Sequence, residues 1–402
     1  MHITDFEAFV VGNPPPGFGG RYFIFVKLTT NNGIEGFGEI YCATFSPEII
    51  VSMAEDMAAR HFIGADPARI EALFRKVYGT GYTARPDVSM MGVFSGLEMA
   101  CWDITGKALE KPVYELLGGK VHERLRTYTY IYPDEGNVYP VGPDPEHVYV
   151  NPDRAAERAM HYLEQGFTAL KFDPSGPFTV MDPGMPTLEE LDRSEAFVRT
   201  LREAVGNRAD LLFGTHGQFT PAGARRLARR LEPYDPLWLE EPVPPDNVEA
   251  MASVARYTSI PVATGERLCT KYEFANILRA GAAAILQMNL GRVGGLLEAK
   301  KIATMAESFH AQIAPHLYCG PVVAAANIQI ATCSPNFLIL ESIEDGSGFQ
   351  AELVNYSLDW EAGYAIPPDS PGLGINFNEA LARQHPYDGS KLHLEMTPSV
   401  ER

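Results

Sequence analysis

Between about residue 124 and residue 345 the chain repeats one unit: a short apolar run, a polar residue that closes it, and a capped helix. The runs are LRTYTYIY (125–132), TALKF (168–172), DLLFGTH (210–216), PLWLEE (236–241), IPVATGE (260–266), AILQMN (284–289), AQIAPHL (311–317) and FLILESI (337–343), eight in all. Between them Asn151-Pro152, Thr187 with Glu190, Thr220-Pro221, Asp246 with Glu249 and Thr270 with Glu273 place a cap oxygen at a helix start, often with an acid three residues on. Gly166, Gly206 and Gly281 fall where helices should stop and turn back into strands. Eight strands alternating with helices, each step a right-handed crossover, predict an α/β fold closed into a parallel (β/α)8 TIM-like barrel. An open doubly wound sheet is the rival, but no GxGxxG follows the first run.

The flanks read differently. Residues 21–41 hold two strand-like runs around Asn32-Gly33, a pair that readily adopts the positive φ angles of a tight hairpin. From 47 to 117 the apolar spacing is helical, as in Ile49, Met53, Met57 and in Leu97, Cys101, Ile104. The tail from 346 contains no barrel unit and most simply returns to the first domain. The predicted organisation is an α+β domain at 1–122, the barrel at 123–345 and a C-terminal segment at 346–402; a chain of 402 residues, 46% of them hydrophobic, is long enough for a barrel plus a smaller domain. Residues 133–150 form a polar, Tyr- and Pro-containing insertion that would sit over the barrel mouth.

Charge and cysteine usage exclude several functions. A formal charge of −18 leaves no basic stripe for nucleic acid or an anionic membrane. Cys42, Cys101, Cys269, Cys319 and Cys333 lack CxxC spacing, which fits buried packing in a reducing cytosol better than disulfides or zinc. The N-terminus has no basic start followed by an apolar run, and no uncharged stretch reaches membrane-spanning length. A cytoplasmic protein is expected.

Barrel active sites lie at the C-terminal ends of the strands, so the residues that close the runs carry the functional reading. They are Lys171, Asp173, His216, Glu240, Glu266, Asn289, His316 and Glu341. Residues two apart on a strand share a face, so Lys171 points with Asp173 and Gly214 with His216. Two carboxylates from neighbouring strands make a hard oxygen site suited to Mg2+, which would act as a Lewis acid on an anionic oxygen. Two histidines on opposite sides of the mouth, one to take a proton and one to give it, suit β-elimination of water or epimerisation.

At these residues the chain resembles the mandelate racemase/muconate lactonizing enzyme subgroup of the enolase superfamily, and within it the acid-sugar dehydratases of the galactonate dehydratase type. SGLEMACWDITGKALEKPVYELLGG (95–119), WLEEP (238–242), ATGERL (263–268), GRVGG (291–295), APH (314–316) and PGLG (371–374) follow in that family's order. The resemblance implies that the N-terminal segment and C-terminal tail form a capping domain whose loops near 13–21 and 41–50 close the site. It implies that Glu240 and Glu266 are metal ligands, His316 a general base and His216 a general acid; Glu341, which closes the last run, is expected at the substrate from its position alone. It also implies a small-molecule carboxylate as substrate, a sugar acid above all, and assembly into homo-oligomers.

Three positions depart from the family pattern. Gly214 stands where the first metal-binding aspartate is expected, Asn289 where an aspartate orients the strand-7 histidine, and Asp173 where the second lysine of KxK would be. Losing one carboxylate weakens a Mg2+ site, for which His216 or Asp173 is a possible replacement contact. An amide beside His316 favours a different tautomer. The expected activity is therefore α-proton abstraction next to a carboxylate with loss of water. The alternatives are a racemase, epimerase or cycloisomerase using the same enolate, and a degenerate relative that only binds its ligand.

Overall fold

The computed structural model describes residues 1–133, 146–173, 183–355 and 360–395. Most of the 133–150 insertion, including Tyr139, lies outside them.

The chain opens with an antiparallel sheet of β1 (Ile3–Gly12), β2 (Tyr22–Thr30) and β3 (Glu35–Ile40). Gly33, at φ 80°, turns the predicted β2–β3 hairpin, and Thr29 pairs with Glu35. The helices Pro47–Met57, Ile70–Gly79 and Val88–Ala108 follow. The last of these lies directly on the sheet: a Cβ at Gly38 would collide with the carbonyl oxygen of Gly96, so only glycine permits this approach.

All eight apolar runs contain barrel strands: β4 (Leu125–Tyr130), β5 (Ala169–Phe172), β6 (Asp210–Gly214), β7 (Trp238–Glu240), β8 (Val262–Thr264), β9 (Ile285–Leu286), β10 (Gln312–Ile313) and β11 (Leu340–Ser342). They pair in parallel in chain order from β4 to β10. β11 pairs with β4, and a bridge between Ile313 and Phe337 closes the remaining gap. The barrel is thus closed, not an open sheet. Its interior holds Tyr128, Ala169, Leu212, Trp238, Ile285, Ala314 and Ile339 as one buried cluster. Because strand side chains alternate, the residues two positions on share that face one layer higher: Lys171, Gly214, Glu240, Gln287, His316 and Glu341. The packed interior is therefore the floor of the site.

Helix caps follow the predicted chemistry with two adjustments. Asn151, Thr187 and Thr220 cap as expected, Thr187 and Glu190 forming a full capping box. Asn247 rather than Asp246 caps the next helix, accepting the Ala250 N–H at 3.0 Å. The helix Thr270–Ala280 takes Cys269 as its cap, and Glu273 accepts the Cys269 N–H at 2.7 Å. The tail adds a hairpin, β12 (Trp360–Glu361) and β13 (Tyr364–Ala365), to the start of β4 before Phe377 packs on Phe9, Phe25 and Phe37.

Two buried glutamates from the N-terminal sheet-and-helix unit reach the barrel. Glu98 accepts the N–H groups of Leu296 and Leu297, at the start of the helix Gly295–Ser308. Glu39 accepts those of Gly320 and Val323, at the start of Pro321–Thr332. Both helices begin on the strand-end side of the barrel, where their unpaired N–H groups and positive dipole ends favour a carboxylate. Burial pushes each glutamate up to about 7 against the pull of these N–H groups. Among the described residues no helix is long and apolar enough to cross a membrane, and all five cysteines are free and buried.

Candidate active site

The strand ends bring the anticipated residues together around one buried centre. Lys171, 2% exposed, places its Nζ 2.7 Å from Glu240 Oε1 and 3.4 Å from Glu341 Oε1. Burial opposes the ammonium, but Glu240 and Glu341 outweigh it and hold the lysine proton well above its usual range. The other oxygen of Glu240 receives Trp238 Nε1–H at 3.1 Å and Gln287 Nε2–H at 2.7 Å. Only donors face this carboxylate, which favours its ionised form, although burial with Glu266 and Glu341 nearby works against the charge and raises its pKa. Glu341 also accepts the Leu317 N–H at 2.8 Å.

The two histidines sit in different hydrogen-bond settings. His316 directs Nε2 at Glu266 Oε2, 3.1 Å away, with Glu341 Oε2 at 3.9 Å. Its Nδ1 is 2.9 Å from Asn289 Nδ2. The Asn289 amide cannot simply turn over, because its Oδ1 accepts the Gly291 N–H at 2.9 Å. Asn289 therefore donates to His316 Nδ1, and the imidazole carries its proton on Nε2. Glu266 and Glu341 outweigh burial and raise the His316 pKa, but a second proton would have to sit on Nδ1 against the Asn289 amide donor, which opposes it and keeps the ring neutral. Glu266 is correspondingly held well below the carboxylate range: burial would raise it, but His316, His216 and Lys171 outweigh that.

His216 faces an acid instead. Its Nδ1 lies 3.3 Å from Asp173 Oδ1. Burial lowers the imidazole pKa, but Asp173, backed by Glu266, reverses this and raises it to about 9. The Asp173 carboxylate beside Nδ1 favours a proton on that nitrogen, leaving Nε2 as the one that gains or loses the titrating proton. His216 adopts φ 48°, a conformation uncommon outside glycine. The turn is pinned from both sides, Thr215 Oγ1 donating to the Glu240 carbonyl at 2.6 Å and Gly217 N–H to that of Glu241 at 2.7 Å.

The N-terminal unit covers this mouth. Tyr41 stacks on the His316 ring at 6.4 Å between centroids, with the Arg292 guanidinium 4.0 Å from the Tyr41 ring centre. Phe18, from the 13–21 loop, stacks on Tyr132 at 4.4 Å.

Three residues go beyond the sequence reading. Gln287 was not anticipated, although it precedes Asn289 by two and so shares its face. Trp238 packs on Tyr128 and also supports Glu240. Arg267, which grips the fully buried Glu241 at 2.8 Å, was also missed, though it directly follows Glu266.

The donor set does not fit Mg2+. Among the described residues no group of three or more His, Cys, Asp or Glu is placed to hold a metal ion. Both Glu240 oxygens already accept from nitrogen donors, Glu266 is paired with His316, and Gly214 supplies no ligand. Asp173 and His216, the possible replacements, are spent on each other.

Comparison with known proteins agrees with this architecture. Residues 18–118 match the mandelate racemase/muconate lactonizing enzyme N-terminal domain, and residues 154–381 the enolase C-terminal domain-like family. The chain is 35% identical over 370 residues to the D-galactonate dehydratase of Ralstonia nicotianae, covering 89% of this chain and 90% of that one. A Labrenzia alexandrii structure ascribed to the mandelate racemase/muconate lactonizing enzyme group is 65% identical, with a TM-score of 0.94 over 99% of this chain and 100% of that one. The mandelate racemase/muconate lactonizing enzyme of a Sulfitobacter species is 53% identical, with a TM-score of 0.94 over 100% and 99% of the two chains. With both units matched in sequence and in three dimensions, the chain is an enzyme that belongs to the mandelate racemase/muconate lactonizing enzyme subgroup of the enolase superfamily.

Proposed function

We propose that the chain is an acid-sugar dehydratase acting on an aldonate or aldarate. The observation that carries this reading is the pair of histidines whose Nδ1 atoms meet opposite partners over one charged centre: the Asp173 carboxylate lies beside that of His216, whereas the Asn289 amide donates to that of His316 and leaves its proton on Nε2. Dehydration needs a base for the α-proton and a donor that holds the departing hydroxyl.

On this reading the roles implied by family resemblance are exchanged. An imidazole that carries its one proton on Nε2, facing the centre, donates a hydrogen bond rather than taking a proton, so His316 holds the departing hydroxyl. His216 takes the α-proton on Nε2, and its pKa of about 9 makes it a stronger base than an ordinary histidine, which suits a weak carbon acid. The electron pair left at C2 moves onto the substrate carboxylate and then returns to form the C2–C3 double bond as the C3–OH bond breaks. That hydroxyl, held by the His316 Nε2–H, leaves as water with the proton that His216 took from C2, which restores His216, and the enol becomes a 2-keto-3-deoxy acid. Charge building on the substrate carboxylate is met by the fixed Lys171 ammonium. Relatives named D-galactonate dehydratase support the substrate class.

Screening an acid-sugar library for 2-keto acid formation tests the proposal. Formation of a 2-keto-3-deoxy product from at least one acid is expected. An unchanged skeleton that gains solvent deuterium at C2 would instead identify a racemase or epimerase. No turnover of any acid would refute the reading.

A further inference from the structure

The question left by the poor fit to Mg2+ is what balances the clustered acids Asp173, Glu240, Glu266 and Glu341. We infer that the Lys171 ammonium is the resident cation of this centre, built in covalently, and that it leaves the site no seat for a divalent ion. The inference rests on the same residues as the proposed dehydration but concerns binding alone.

Three observations carry it. Lys171 is almost wholly buried and bridges carboxylates from β7 and β11, 2.7 Å from Glu240 and 3.4 Å from Glu341. A buried ammonium is tolerated only where anions surround it, and here Glu240 and Glu341 do. Second, its stem occupies the room opened by glycine on the next strand: a Cβ at Gly214 would lie 3.2 Å from Lys171 Cε and 3.3 Å from Asp173 Oδ1. An aspartate side chain reaching inward from 214 would need that same space. Gly214 and the inward Lys171 are thus one arrangement. Third, Trp238 and Gln287 hold the second oxygen of Glu240, so both oxygens of that carboxylate already accept from nitrogen. A metal would have to displace several of these donors and approach an ammonium at close range, where like charges repel strongly in a buried setting.

The consequence is a centre whose positive charge does not exchange with solvent. Chelators cannot strip it, and changes in Mg2+ concentration leave it unaltered.

The test is isothermal titration of the wild-type chain with Mg2+, paired with a crystal soaked in Mn2+, both without substrate. No saturable heat and no anomalous peak between Glu240 and Glu266 are expected. Saturable Mg2+ binding, or a Mn2+ peak on those carboxylates with Lys171 swung aside, would overturn the inference. The double variant Gly214→Asp/Lys171→Ala removes the built-in cation and restores a third acid, and is expected to gain Mg2+ binding and an upward shift in melting temperature with added Mg2+. A folded double variant that gains neither would also count against the inference, since Lys171 would then not be what excludes the ion. Because no turnover is measured, a chain that binds no Mg2+ yet dehydrates no acid sugar would refute the proposed function and leave this inference standing.

Discussion

Replacing Asp173 by asparagine removes the group that sets the proton affinity of His216 while preserving side-chain volume. The two side chains meet at 3.3 Å, with 25% and 15% of each exposed. Burial alone would put the imidazole below its ordinary 6.5, and Asp173 with Glu266 carries it to about 9. That rise corresponds to roughly 3 kcal/mol at about 1.4 kcal/mol per pH unit, trimmed to about 2 kcal/mol by the partial exposure. Because the folded pKa is raised, this stabilisation is fully present below about pH 6.5 and is lost as pH rises through about 9. In Asp173→Asn the His216 titration, followed by NMR at its ring C–H, should fall toward 6.5 or below, and the alkaline loss of stability should flatten. The rate should respond in step. With His216 as base, wild-type activity climbs with pH to about 9, whereas the variant reaches its lower plateau on the acid side of neutrality. An His216 titration unmoved by the substitution would refute the pairing. Wild-type activity that falls as pH rises toward 9 would return His216 to the role of acid.

Three further outcomes follow from the same geometry. His216→Gln should abolish solvent exchange of the substrate α-proton, while His316→Gln retains exchange and slows water loss by about 10²–10⁴-fold; deuterium uptake by NMR separates the two. In nitrogen NMR spectra of the wild-type chain Nδ1 of His316 should lack a proton, and Asn289→Asp, by offering an acceptor there, should give it one. Glu39, raised to about 7 by burial, should make the wild-type chain less stable as pH increases from about 4.5 through 7, because its ionisation is penalised in the fold. Urea unfolding of Glu39→Gln should lose that slope, whereas Glu39→Ala should cost about 2–4 kcal/mol by leaving the Gly320 and Val323 N–H groups unpartnered.

The barrel was legible because each strand announces itself twice, by an apolar run and by the polar residue that ends it. Period-two alternation then places Lys171, Glu240, His316 and Glu341 on the inner face without knowledge of any contact. The same rule would have found Gln287. Strand β1 and the β12–β13 hairpin were harder to see: β1 meets β2 across the irregular 13–21 loop rather than a tight turn, and Trp360–Ala365 is too short for a periodic signal and docks on β4, far away in sequence. Cap positions slipped by one where two good capping residues adjoin, as at Asp246 and Asn247. The roles of the histidines were beyond the sequence for a sharper reason. Whether Asn289 donates to His316 or accepts from it depends on the Gly291 N–H, a contact that only the folded turn creates. Likewise Gly214 reads as a loss until Lys171 is seen lying across the space it leaves.

Turnover in deuterated water, with the position of the label read by NMR, tests most directly whether this centre removes an α-proton and expels water. Loss of the C2 proton with protonation from solvent after elimination predicts a 2-keto-3-deoxy acid carrying one deuterium at C3. A skeleton recovered intact with deuterium at C2, or a 2-keto product with C3 unlabelled, would contradict it.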